Sequence, residues 1–193
     1  MTKIEQAIIY ATTWHEGQKR KGTDIPYILH PLKTMQCLIS MGADEDLVVA
    51  GLLHDVLEDT HVERKTVQKI FGKKVAELVA AHSEDKSLPW KRRKEITIEE
   101  CKHAPKAVRM LIMADTMANI SDTVNDVEKF GDEVWKRFNT TEDKQAWYYW
   151  NKAIALESLC DEDESLVRHY EELCKMCYKV FGAPKVEWLV WND

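Results

Sequence analysis

Residues Ala50 to Thr60, AGLLHDVLEDT, restrict what this chain can fold into more than any other stretch. On a helix that turns about 100° per residue, Leu52, Leu53, Val56 and Leu57 share one side, with Val49 behind them. His54, Asp55, Glu58 and Asp59 fall on the other side, where His54–Glu58 and Asp55–Asp59 are i to i+4 neighbours. Gly51 lies one turn earlier on that face and leaves it bare. A polar helix face is ordinarily solvated. Here the leucine pairs reach around more than half the helix, which predicts a central helix with little access to water. Three carboxylates and a histidine are costly in such a place unless they are paired or hold a metal ion.

Helical period continues through nearly every other segment, and no stretch alternates as a strand does, so an all-α fold follows. At 193 residues the chain is long enough for one domain, 1–193, with a full core of its own. A first helix is expected over 2–20, running out in the basic, turn-prone KRKGTDIPYI. His30 precedes Pro31, which suits the first position of a helix over 31–41. Gly42 closes that helix and Asp44 caps the central one, expected over 45–59. Shorter helices follow over 63–71 and 73–83. Ser87 and Pro89 begin a helix carrying Trp90 and the basic run Lys91 to Lys94, and Pro105 begins another. The polar stretch 121–133 reads as a loop. Thr140 or Thr141 caps a long helix to Leu159, Asp161 opens the last one, and the apolar tail APKVEWLVWND is expected to dock on the body.

The net charge of −6 argues against nucleic acid as a partner, because binding it requires a basic footprint. It leaves room for a small anionic substrate at a local basic cluster. Lys3 and Glu5 interrupt the N-terminal apolar stretch, so no signal peptide is expected, and no run approaches a membrane span. Five scattered cysteines fit a reducing cytoplasm better than a disulfide framework, and the Cys174–Cys177 pair fits ordinary helix packing. Composition leaves a homo-oligomer open.

His54 and Asp55 diverge by about 100° around the helix but can both reach an ion seated above it. Two further ligands are then needed. His30, at a helix start in a stiff segment, is one candidate. Asp115 is the other, because it interrupts the apolar face LIMADTMANI, where a lone carboxylate is penalised. Two histidines and two carboxylates make a mixed site suited to manganese, iron or another divalent ion, with positions left for water and substrate.

His30, His54-Asp55 and Asp115 in that order resemble the H…HD…D pattern of the HD metal-dependent phosphohydrolase superfamily. WHEGQKRKGTDIPYILHP, AGLLHDVLEDT, FGKKVAELV, EDKSLPWKRRK and the AD-x-x-x-N at Asp115 to Asn119 together resemble the hydrolase domain of the RelA/SpoT family, its small alarmone hydrolases above all. The resemblance spans residues 5–160 and leaves the segment beyond Asp161 uncovered. It implies hydrolysis of the 3′-pyrophosphate of guanosine tetra- or pentaphosphate, with manganese on His30, His54, Asp55 and Asp115. Glu58 and Asp59 match the acidic pair that orients the attacking water and handles its proton. Arg20 and Lys21 match a basic pair at the nucleotide pocket, Asn119 a substrate-contacting asparagine, and Trp147 the place of a tyrosine at the pocket wall, where core packing is an equal reading.

One departure stands out. Relatives place a basic residue directly after the ligand aspartate and another near the end of that motif, where this chain has Thr116 and then Ile120-Ser121-Asp122. Lys86 and the run Lys91 to Lys94 are substitutes, although an exposed helix face is their ordinary role. Two other functions use the same residues: a nucleotidase acting on another phosphorylated nucleotide, and a non-catalytic nucleotide-binding module. The intact Glu58-Asp59 pair argues against the second.

Overall fold

Thr2 and Glu5 cap one another's backbone N–H groups at the start of the first helix, α1 (Lys3–Trp14), in the computed structural model, which describes residues 1–189. The chain then forms α2 (Leu29–Ser40), α3 (Glu45–Leu53), α4 (Val56–Asp59), α5 (Arg64–Phe71), α6 (Lys73–His82) and α7 (Trp90–His103). The long α8 (Lys106–Phe130) passes through a 3-10 turn, Gly131–Arg137, into α9 (Glu142–Leu156), α10 (Ser158–Glu162), α11 (Val167–Phe181) and α12 (Val186–Leu189). The fold is all-α: among the described residues no strand occurs, only an isolated bridge between Lys19 and Pro26.

Asp44 caps α3 by accepting the Leu47 N–H at 2.9 Å, and Leu47 through Leu53 are all buried. That helix is the centre of the fold, packed on by α1, α2, α6 and α8, while α9 packs on α7 and α11, and α11 packs on α8. Gly51 allows α2 to come close: a Cβ there would lie 2.4 Å from Leu38 Cδ1. The bare position in the motif therefore faces a neighbouring helix and not an open site.

Four expectations need correction. The first helix ends at Trp14, and residues 15–28 fold back through Arg20 N–H to Ile25 O (2.8 Å) and Tyr27 N–H to Gln18 O (2.9 Å). The central helix is interrupted at His54 and Asp55, where the expected 45–59 helix becomes α3 and α4. His54 Nδ1 lies 2.8 Å from Gly51 O, the carbonyl that the Asp55 N–H would use in an unbroken helix. Residues 121–130 continue α8 and are no loop, and the turn begins only at Gly131 (φ 58°). Their polarity is satisfied across the fold, Asp122 by Arg20 and Lys33 and Asp126 by Arg137, while Ile120, Thr123 and Val124 keep an apolar face in the core. The acidic run from Asp161 does not open the last long helix either. Asp163 caps the 3-10 turn Glu164–Leu166, and α11 starts at Val167. In the tail Trp188 is buried, with Nε1 donating to Asp143 and its carbonyl accepting from Asn151. Residues 190–193 lie outside the described residues.

Candidate active site

α2, the α3–α4 break and the middle of α8 bring His30, His54, Asp55 and Asp115 to one point. His30 Nε2 lies 3.1 Å from His54 Nε2, 3.1 Å from Asp115 Oδ1 and 3.4 Å from Asp55 Oδ2. His54 Nε2 lies 3.0 Å from Asp55 Oδ2 and 3.5 Å from Asp115 Oδ1. The His54 contact to Gly51 O assigns its proton to Nδ1, which leaves the Nε2 lone pair facing the other three donors. The interruption of the helix thus also sets the tautomer that a metal ligand needs.

Four donor atoms facing one another need positive charge among them. Burial opposes ionisation of Asp55 and Asp115, yet the adjacent imidazoles outweigh it and hold both carboxyls well below the usual range. Burial likewise disfavours a charged His54, and the two carboxylates overcome it and lift its pKa well above the ordinary value. Both directions express one demand, which a divalent cation meets. Adjacent donors about 2.1 Å from a common ion stand about 3 Å apart, so the observed spacings fit such an ion. His30, His54 and Asp115 qualify together as a metal-holding group, as do His54, Asp55 and His82.

His82, at the end of α6, is a residue that sequence reasoning missed. Its Nε2 lies 3.7 Å from Asp115 Oδ2, and burial pulls its pKa down to about 4, so it is neutral with a lone pair to offer. The only signal for it is a histidine closing the apolar pattern VAELVAAH. Tyr27 was missed as well. Its hydroxyl lies 2.6 Å from Asp55 Oδ2 and 3.1 Å from Asp59 Oδ2, and burial beside those carboxylates keeps the phenol protonated.

Glu58 and Asp59 differ in placement. Glu58 lines the cleft over the donors, and its Oε1 accepts the Glu84 N–H at 2.6 Å. Burial pushes its carboxyl up to about 7, against the lowering effect of that bond, with Asp55 and Glu84 adding to the rise. Asp59 sits at the rim, held by Tyr27 and Lys86.

The opposite wall of the cleft is basic. Arg93 and Lys94 reach it from α7 and both bind Glu84, at 2.8 and 2.6 Å, so part of the basic run does face the site. Lys152 reaches it from α9. Arg20 stands between this cleft and an outer lobe that also holds Lys21, Lys33 and Arg137. It donates to Asn119 Oδ1 at 2.7 Å and to Asp122 Oδ2 at 3.2 Å. Asn119 in turn donates to Asp115 Oδ1 at 2.7 Å, which links the outer lobe to the donor cluster. Lys21 turns outward to Asn139. Thr116 is fully buried, with its hydroxyl on Ile112 O, so that position points into the core.

Trp147 is no wall of this cleft. It is buried beside Trp90 and lines a separate hollow with Trp188, while from its own helix Tyr148 and Tyr149 line the cleft, with Tyr27, Trp90 and Phe138 from elsewhere. A shift of one or two residues along a helix turns a side chain to another face.

Comparison with known proteins agrees with this geometry. The HD domain profile matches residues 7–123. The chain belongs to the HD-domain family. HD-domain hydrolases bind divalent metals, and the donor cluster holds a His/Asp group that could take one. Human MESH1, named a guanosine-3′,5′-bis(diphosphate) 3′-pyrophosphohydrolase, is 34% identical over 123 residues, which cover 62% of this HD protein and 69% of MESH1. The Escherichia coli bifunctional (p)ppGpp synthase/hydrolase SpoT is 39% identical over 97 residues, covering 50% of this chain and only 14% of SpoT. A solved structure described as a metazoan ortholog of SpoT that hydrolyses ppGpp superposes with a TM-score of 0.75 at 24% identity, over 95% of this chain and 98% of that one. At that identity it speaks for the fold.

Proposed function

We propose that this HD protein is a metal-dependent hydrolase that removes the 3′-pyrophosphate of guanosine tetra- or pentaphosphate, yielding pyrophosphate and GDP or GTP. The observation that carries the reading is the pairing, in one cleft, of four converging donors with a buried carboxylic acid, Glu58, and a basic wall. MESH1, matched over 69% of its length, supports the substrate class.

Manganese is the ion we assign to His30, His54, Asp55 and Asp115, because a mixed nitrogen and oxygen set with open positions suits it. Such an ion supplies Lewis acidity, polarising a phosphoryl oxygen and water. The remaining steps belong to the chain. Glu58, with a pKa near 7, is tuned to take the proton of the attacking water, and the Glu84 N–H holds its carboxylate in position. The water oxygen bonds to phosphorus, the bond to the ribose 3′ oxygen breaks, and the proton held by Glu58 passes, directly or through water, to that oxygen, which leaves as a hydroxyl. Asp59 orients the Tyr27 hydroxyl, which fixes Asp55. Arg20 and Asn119 grip the rest of the nucleotide, with Lys21 at the outer edge. Free cysteines, with none paired among the described residues, support a cytoplasmic location. No described helix is long and apolar enough to cross a membrane.

The test is product analysis. Purified, manganese-loaded protein given guanosine tetraphosphate should release pyrophosphate and GDP in equal amounts. Orthophosphate released from a nucleoside monophosphate, with no pyrophosphate from the tetraphosphate, would put a nucleotidase in its place.

A further inference from the structure

Lys152 is 2% exposed and projects from α9 into the wall of the same cleft that holds His30, Asp55, Glu58 and Asp115. Its ammonium lies 4.1 Å from the ring centre of Tyr148 and 5.0 Å from that of Tyr149. Among the described residues it has no hydrogen-bond acceptor and no carboxylate within ion-pair distance. The other cations of this cleft have such partners: Arg93 and Lys94 share Glu84, and Arg20 has Asn119 and Asp122. Aromatic faces offset part of the desolvation of a lysine but supply no counter-ion to its ammonium. A buried cation without an anion is a net cost to the fold.

We infer that Lys152 is a substrate-binding residue whose missing anion is the 3′-pyrophosphate under attack, held between the Lys152 ammonium and the donor cluster. The position is specific. Lys152 lines the metal-side lobe and is absent from the outer lobe, which Arg20 shares and which the proposed function gives to the rest of the nucleotide, so it meets the reacting group. Burial pulls its pKa down, with Asp115 pulling the other way. A cation meeting the phosphoryl oxygens as charge shifts among them acts on turnover as well as on affinity. The inference rests on the pyrophosphohydrolase reading for the identity of the anion.

The experiment compares Lys152→Met, which keeps the apolar stem, with Lys152→Arg, which keeps the charge. The probe is inorganic pyrophosphate, read by calorimetry at fixed free manganese and by its effect on Tm. Wild-type protein should bind pyrophosphate and gain Tm from it. Lys152→Met should bind it at least tenfold more weakly, keep or raise its Tm without ligand, and lose kcat more than it raises KM. Lys152→Arg should stay within a few-fold of wild type in binding. Two results would overturn the inference: wild type that binds no pyrophosphate, or a Met variant that binds as tightly as wild type while its Tm falls, which marks a packing role. Should the Met variant fail to fold, Lys152→Gln reads the same contrast. Wild type that binds pyrophosphate but leaves guanosine tetraphosphate intact would overturn the substrate reading alone.

Discussion

The donor cluster and the outer lobe of the cleft handle charge in opposite ways. In the cluster, the Nε2 atoms of His30 and His54 lie within 3.5 Å of each other and of carboxylate oxygens of Asp55 and Asp115, mostly out of water, and no lysine or arginine is paired with these groups among the described residues. In the outer lobe nearly every cation already has a carboxylate: Lys19 has Asp24, Arg20 and Lys33 share Asp122, and Arg137 has Asp126. Those pairs are partly exposed, where an ion pair contributes only about 0–1 kcal/mol. The cluster is therefore built to require a permanent cation. Under the proposed function the lobe exchanges partners, its carboxylates giving way to the phosphates of a visiting nucleotide.

Removing a donor should have the largest effect. His54→Ala or Asp55→Ala is expected to abolish both metal retention and turnover, read by metal analysis alongside product release. Stoichiometric manganese retained in Asp55→Ala would break the contrast at once. Glu58→Gln comes next: it should keep the metal and bind nucleotide while kcat falls about 10²-fold. Wild-type kcat should also decline as pH drops through about 7, where Glu58 takes up a proton and ceases to act as a base. That acidic limb should vanish in the Gln variant. If metal and turnover are lost together, Glu58 is a ligand instead.

Effects in the outer lobe should be smaller and appear in KM. Arg20→Ala is expected to raise KM for guanosine tetraphosphate about tenfold, about 1.4 kcal/mol, with a lesser change in kcat. Asp122→Asn frees Arg20 and Lys33 without touching the donors, so KM should fall by about two- to fivefold, the range of an exposed pair. A KM that rises instead would mean that Asp122 positions Arg20 rather than competing for it.

The same contrast explains what the sequence disclosed. The donors were legible because Asp115 breaks an apolar run and His54-Asp55 interrupts a leucine-rich helix, and a polar group set against burial is visible in one dimension. The helices were legible wherever apolar residues recur at helical spacing. Residues 121–130 were misread because Asp122 and Asp126 look solvated until Arg20, Lys33 and Arg137 arrive from distant parts of the chain. Tyr27 and Lys152 carry no local mark and His82 only its place at the end of an apolar run, since only the packing of α6 and α9 around α8 brings His82 and Lys152 to the cleft. Trp147 shows the converse: of its two readings, pocket wall and core packing, the structure has it buried beside Trp90 and outside the cleft.

In the proposed function, one divalent ion on these four donors turns a nucleotide cleft into a pyrophosphohydrolase. The direct test is to strip the wild-type protein of metal, titrate manganese back, and follow pyrophosphate release from guanosine tetraphosphate together with bound metal. The account predicts no release from stripped protein and a rise that saturates at one ion per chain. Full release from stripped protein, or a rise that continues well past one equivalent, would contradict it.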